Sequence, residues 1–195
     1  MADRTALVRC DDAAVADAVV RRLTADGLRV TLVPSTADPD GAVAEATGAP
    51  GALHALVCAV AQPPPAPFPG ADPARWYADV MACLTPAFRL ARAATPALRR
   101  SGAGRLVFLG SGWTAVDRPR STAAGAVQGA LVALTKTLAR DLGPDAVTVN
   151  EVVADPDAPP SPEVVAAAVS YLCGDAAGSV AGQLLTLGRG GQLRP

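Results

Sequence analysis

Gly129–Asn150, GALVALTKTLARDLGPDAVTVN, reads as a helix that stops and turns directly into a strand. The helical pattern begins at Thr122. Val127, Leu131, Leu134 and Leu138 recur every three or four residues, which lines one face of a helix for packing on a sheet. Gly143-Pro144 closes the helix after Leu142. Ala146–Val153 then forms a short apolar strand rich in valine. A helix with one apolar face leading into a strand is the unit from which parallel sheets are built.

The same alternation extends outward in both directions. Before this stretch, Gly104–Gly110 (GRLVFLG) is a strand bounded by glycines. Pro73–Arg100 is a long helix with candidate kinks at Pro86 and Pro96. Leu53–Val60 (LHALVCAV) is a strand, followed by a proline-rich surface loop over Gln62–Pro73. Nearer the N-terminus, Thr5–Arg9 and Leu28–Val33 are strands flanking a helix over Asp12–Ala25. That helix carries Val15, Val19 or Val20, and Leu23 on one face, and Gly27 ends it. A short helix fits around Gly41–Thr47. On the C-terminal side, Pro162–Cys173 is a helix and Gln183–Leu187 a last short strand. The expected fold is α/β: a doubly wound, mostly parallel sheet of about six strands in three α/β/α layers, a single domain over residues 1–195.

Composition narrows the function classes. Hydrophobic residues make up 50% and charged residues 18%, the balance of a soluble globular protein. The formal net charge is -1, so there is no basic excess to neutralise phosphates and nucleic acid is not an expected partner. Cys10, Cys58, Cys83 and Cys173 are widely spread without CxxC or zinc-like spacing, which implies free thiols, no metal and a reducing compartment. Met1–Thr5 lacks the apolar stretch of a signal peptide. The most apolar stretch, Ala78–Leu98, carries Asp79, Arg89 and Arg92, which disfavours a membrane span. A cytoplasmic location follows. Arginine supplies nearly all the basic residues and Lys136 is the one lysine, a bias typical of a GC-rich bacterial genome.

Five ordered segments carry a resemblance to a known family. Gly129–Asn150 looks like the helix and strand that succeed the active site in short-chain dehydrogenases/reductases, and Gly104–Ser111 (GRLVFLGS) looks like their strand ending in the catalytic serine. Trp76–Arg100 resembles the preceding long helix, Gly182–Leu187 their C-terminal strand, and Ala6–Val33 their first βαβ unit. The resemblance is nearest to ketoacyl-reductase-like members. It implies a Rossmann-like fold, shortened by one strand–helix unit between Val33 and Leu53 on the adenosine side, and a setting in bacterial fatty-acid or polyketide-type biosynthesis.

The family's chemistry needs a Ser to polarise a carbonyl, a Tyr to move the proton, a Lys four residues later to lower the Tyr pKa, and an Asn on the long helix to hold a relay water. Carried over by resemblance, these positions are Ser111, Ala124, Gln128 and Cys83. Only the serine is retained. No alternative register restores the pair. Met81 and Asp175 stand four residues after Tyr77 and Tyr171, the two tyrosines of the chain. The dinucleotide turn is equally altered. Its three glycine positions are Cys10, Ala14 and Ala16, and Asp11 and Asp12 bring negative charge to the place of a pyrophosphate. One of these aspartates also suits a helix cap. The Asn-Asn-Ala-Gly turn is replaced by Cys58-Ala59-Val60-Ala61, the later Pro-Gly by Ala154-Asp155, and the lid shrinks to about Asp155–Ser161.

The resemblance therefore implies a pseudoenzyme that binds no cofactor itself. NAD(P) is expected in a catalytically complete paralogue with which this chain forms a hetero-oligomeric ketoreductase or dehydrogenase. The family pairs subunits through its two long helices, here offering Met81, Leu84 and Phe88 on one and the small residues Ala126, Ala130, Ala133 and Thr137 on the other. Two other readings stand beside this one. Arg99, Arg100 and Arg105 could dock an acidic acyl carrier protein, or act as ordinary solvated arginines near a helix end. Altered enzyme chemistry could run through Ser111, Asp117 and Cys83, with Cys10, Cys58 and Cys83 as a thiol cluster or as small core fillers. His54, within a strand, is a packed residue rather than a base for Ser111.

Overall fold

A computed structural model describes residues 4–48, 51–111, 119–156 and 158–188. Six strands lie in one parallel sheet: β1 (Arg4–Arg9), β2 (Leu28–Val33), β3 (Ala55–Ala59), β4 (Arg105–Ser111), β5 (Thr148–Ala154) and β6 (Leu184–Leu187), in the spatial order β2-β1-β3-β4-β5-β6. Among the described residues five α-helices connect them: α1 (Ala13–Ala25), α2 (Pro39–Thr47), α3 (Pro73–Arg100), α4 (Thr122–Leu142) and α5 (Pro162–Cys173). The helix starts follow their capping chemistry. Asp12, Asp38 and Asp72 accept hydrogen bonds from first-turn amides of α1, α2 and α3. Gly27, at φ 86, takes the left-handed position beyond α1 that a side chain would resist. α3 runs unbroken through Pro86 and Pro96.

Alternation along the strands divides the core in two. Leu7, Leu56, Leu106, Phe108 and Val149 face α2, α3 and α4, whereas Val8, Val57, Val107 and Val152 face α1 and α5. The inward face of α4 differs from the expected leucine row. Ala123, Val127, Gln128, Leu131, Thr135 and Leu142 are buried, while Leu134 and Leu138 are only partly covered. Both rows have helical spacing, and the buried one is turned toward Ala123, Gln128 and Thr135.

Four of the five crossovers share one hand. β1–α1–β2 steps toward the β2 edge beneath one face. β2–α2–β3, β3–α3–β4 and β4–α4–β5 step the other way on the opposite face, which is the same rotation. β5–α5–β6 also steps toward the β6 edge but places α5 beside α1, so its hand is reversed. A reversed connection is uncommon in parallel sheets. Here it closes the face that α1 alone leaves open. Ser170 of α5 donates to Asp26 Oδ2 beyond α1 at 2.6 Å.

Asn150 fastens the last strand. Its side chain is buried on β5, donates to Val180 O at 2.8 Å and accepts from Gln183 N at 2.9 Å. Replacing it leaves two backbone groups without partners. Asn150→Ala is expected to lower unfolding stability by roughly 2–4 kcal/mol, with faster amide exchange over β6 than over β1; urea unfolding and hydrogen exchange measure both.

Candidate functional site

The C-terminal ends of the strands form the edge where sheets of this type hold their ligands. Ser111 ends β4 there, half-buried, opposite Ala154 of β5. Ala124 lies in the first turn of α4, also half-buried, and Gln128 follows one turn later. Cys83 of α3 packs in the same core cluster as Ala123, Val127 and Phe108. Ala124, Gln128 and Cys83 belong to α4 and α3, whereas Ser111 follows Leu109 in the strand alternation, on the side that packs against α1 and α5. Ala124 carries only a methyl group and can move no proton.

Gln128 is only 1% exposed and points into the core. Its Nε2 donates to Glu151 Oε1 at 2.7 Å. Glu151, on β5, is fully buried. Gly110 makes room for the pair, because a β-carbon there would run into Glu151 Oε1 and come within 3.0 Å of both Gln128 Oε1 and Leu131 Cδ2. Among the described residues, Gln128 Oε1 and Glu151 Oε2 have no hydrogen-bond partner. Burial is the main influence on Glu151 and outweighs the opposing Gln128 hydrogen bond, so its pKa rises to about 7. Protonation also turns one of the two orphaned acceptors into a donor. The sequence carried a signal for this pair, since a lone carboxylate in the apolar run TVNEVVA has to find a partner or a proton.

The first turn is closed by the chain itself. Asp12 Oδ1 accepts from Ala14 N at 3.0 Å and Val15 N at 3.1 Å. These are amides a pyrophosphate would need. Asp11 is exposed beside them, Cys10 Sγ lies 3.6 Å from Asp12 O, and Ala16 is buried against the sheet. The residues of this turn do not fit a dinucleotide pyrophosphate: the helix terminus already holds a carboxylate, with a second one adjacent.

Cys58 and Cys83 belong to one core cluster, and Cys10 lies close enough to Cys58 to influence it. Burial raises the Cys10 and Cys83 thiols and pushes Cys58 up to about 11, which disfavours a reactive thiolate. Among the described residues no three His, Cys, Asp or Glu side chains form a metal-binding group. His54 Nδ1 accepts from Thr5 N at 3.1 Å, at the sheet end away from Ser111. Asp117 lies outside the described residues. Arg99 pairs with Asp145 at 2.7 Å, Arg100 donates to Gly51 O, and Arg105 is buried and donates to Gly104 O, so the three arginines form no common patch. No helix among the described residues is long and apolar enough to cross a membrane.

A family model described as enoyl-(acyl carrier protein) reductase matches residues 4–160. No curated protein sequence matches. Among solved structures, TT0495 protein from Thermus thermophilus is 28% identical with a TM-score of 0.83, the match covering 95% of this chain and 97% of that one. An oxidoreductase of the short-chain dehydrogenase/reductase family from Burkholderia thailandensis is 23% identical, with a TM-score of 0.80 over 95% and 91%. The 3-ketoacyl-(acyl-carrier-protein) reductase from Brucella melitensis, solved with NADH, is 18% identical, with a TM-score of 0.84 over 96% and 97%.

The Gln128–Glu151 pair makes stability depend on pH in a definite direction. A raised folded-state pKa means the folded chain holds the proton more tightly than the unfolded one. The stabilisation is complete below about 4.5 and lost as pH rises through about 7. The full swing is roughly 3 kcal/mol. Glu151→Gln should therefore unfold at a higher temperature than the parent at pH 8, with the gap closing by pH 5. Parallel pH profiles for the two chains in thermal unfolding would contradict an acid held neutral in the core.

Proposed function

The chain belongs to the short-chain dehydrogenase/reductase family, and from that premise we propose that it is a non-catalytic subunit. In this reading it pairs with a catalytically complete paralogue, which carries the NAD(P) and performs the ketoreductase or dehydrogenase reaction. One observation carries the proposal. The position matching the family's lysine is Gln128, turned into the core and hydrogen-bonded to a buried carboxyl, with Ala124 in place of the proton donor. Neither residue can set up acid–base chemistry at the sheet end. The Asp12-capped turn supports assigning the cofactor to the partner alone.

The outer faces of the long helices suit such a partner. On α3, Met81 and Phe88 are exposed two turns apart, with Tyr77 a further turn toward the N-terminus. Leu84 lies between them, half-buried against the core. On α4, Ala133 and Thr137 are exposed and Ala126 and Ala130 half-buried, which leaves a smooth strip for close approach of another helix. Exposed apolar side chains grouped on one face are characteristic of a surface that becomes covered on association.

The test is affinity purification of the chain from its native cell with native mass measurement of what elutes. An intact short-chain dehydrogenase should co-elute in fixed stoichiometry. Met81→Glu combined with Phe88→Glu should abolish co-elution while leaving the unfolding temperature within a few degrees. A lone monomer, or a homo-oligomer that ignores the paralogue, would remove this reading.

A further inference from the structure

Arg9 ends β1 and turns its side chain to the α2/α3 face. It is only 7% exposed. A guanidinium cannot shed its proton, so this charge is permanent. Its described hydrogen bond is from Nη2 to Ala59 O at 2.9 Å, and no carboxylate among the described residues pairs with it. Buried charges in proteins are normally paired, because an uncompensated one is strongly destabilising. Arg105 is similarly buried, but it reaches Gly174 O at the C-terminal end of α5, where the helix dipole favours a cation. Arg9 faces no helix C-terminus of this kind. It borders a cavity of about 160 Å³ instead.

The cavity lies between the loop after β2, the start of α2 and the middle of α3. Val33, Ala42 and Leu90 give it an apolar floor. Ser35 and Thr36 from the loop and Arg89 from α3 stand at its exposed rim. Arg89 has no ion pair among the described residues, and no acidic residue lines the cavity. Asp38, the nearest acid in sequence, is engaged in capping Gly41 N at 2.8 Å.

We propose that this cavity binds a small oxyanion, a phosphoryl or carboxylate group on a compact molecule, held between Arg9 and Arg89. Two guanidinium groups offer paired N–H donors that match the oxygens of such a group, and the rim hydroxyls can supply further bonds. Drug-sized ligands occupy pockets of about 300 Å³ and upward. The smaller volume here suits a single anionic group with a short carbon skeleton, not a dinucleotide. The ligand supplies the counter-charge that the fold leaves out.

The full chain should be titrated with inorganic phosphate and, separately, with malonate, by calorimetry and thermal unfolding against sodium chloride at matched ionic strength. Saturable binding of at least one anion, with a raised unfolding temperature, is expected. Binding of phosphate alone identifies a phosphoryl ligand, and binding of malonate alone a carboxylate. Arg89→Gln, an exposed change that leaves the core intact, should weaken binding roughly tenfold or more. Arg9→Met should abolish binding yet unfold no lower than the parent in chloride, since it removes an unpaired buried charge. Failure of both anions to bind saturably, or unchanged binding in Arg89→Gln, overturns the proposal.

Discussion

A parallel sheet presents side chains to both of its faces, and neither face tolerates water. Each strand must therefore be roofed above and below, and the helices have little freedom in which residues they turn inward. That requirement shapes the candidate site of this chain. α4 covers β4 and β5, and its period brings Ala123, Val127, Leu131 and Thr135 onto the sheet. Gln128 falls on the same stripe. Its polar end has to be satisfied inside the protein, and Glu151 satisfies its amide N–H. Gly110 is tied to this arrangement, because the carboxyl occupies the space its side chain would need. Three residues on three elements thus form one interlocked unit, one residue before Ser111 on β4.

Much of the fold could be read from the sequence because its signals are local. The limits of α3, α4 and α5 match the pattern of prolines, caps and apolar spacing residue for residue. Strand ends are less local. β5 begins at Thr148 rather than Ala146, since pairing with β4 and the left-handed backbone at Ala146 decide where the ladder starts. The family was legible because its motifs fall in order along the chain.

What escaped the sequence was tertiary. Glu151 stands out as a carboxylate in an apolar strand, but its partner is not visible until α4 places Gln128 over it. Arg9 reads as a strand terminus until α2 and α3 enclose it. Arg99, Arg100 and Arg105 stand close in sequence, yet one faces Asp145, one reaches back to Gly51, and one points inward beneath α5. Proximity along the chain says little about direction where a helix ends and a strand begins.

The reversed crossover joins parts of the chain that are far apart in time as well as in sequence. α1 is made well before α5, and the apolar face it shares with the sheet, including Ala18, Val19 and Leu23, is completed by Val165, Val169 and Leu172 of α5. Contacts of such long range raise the entropic cost of folding and slow it. The N-terminal half emerging from the ribosome consequently keeps an apolar flank open until α5 has been synthesised. Apolar surface left open in this way is what makes partly folded chains prone to stick to one another.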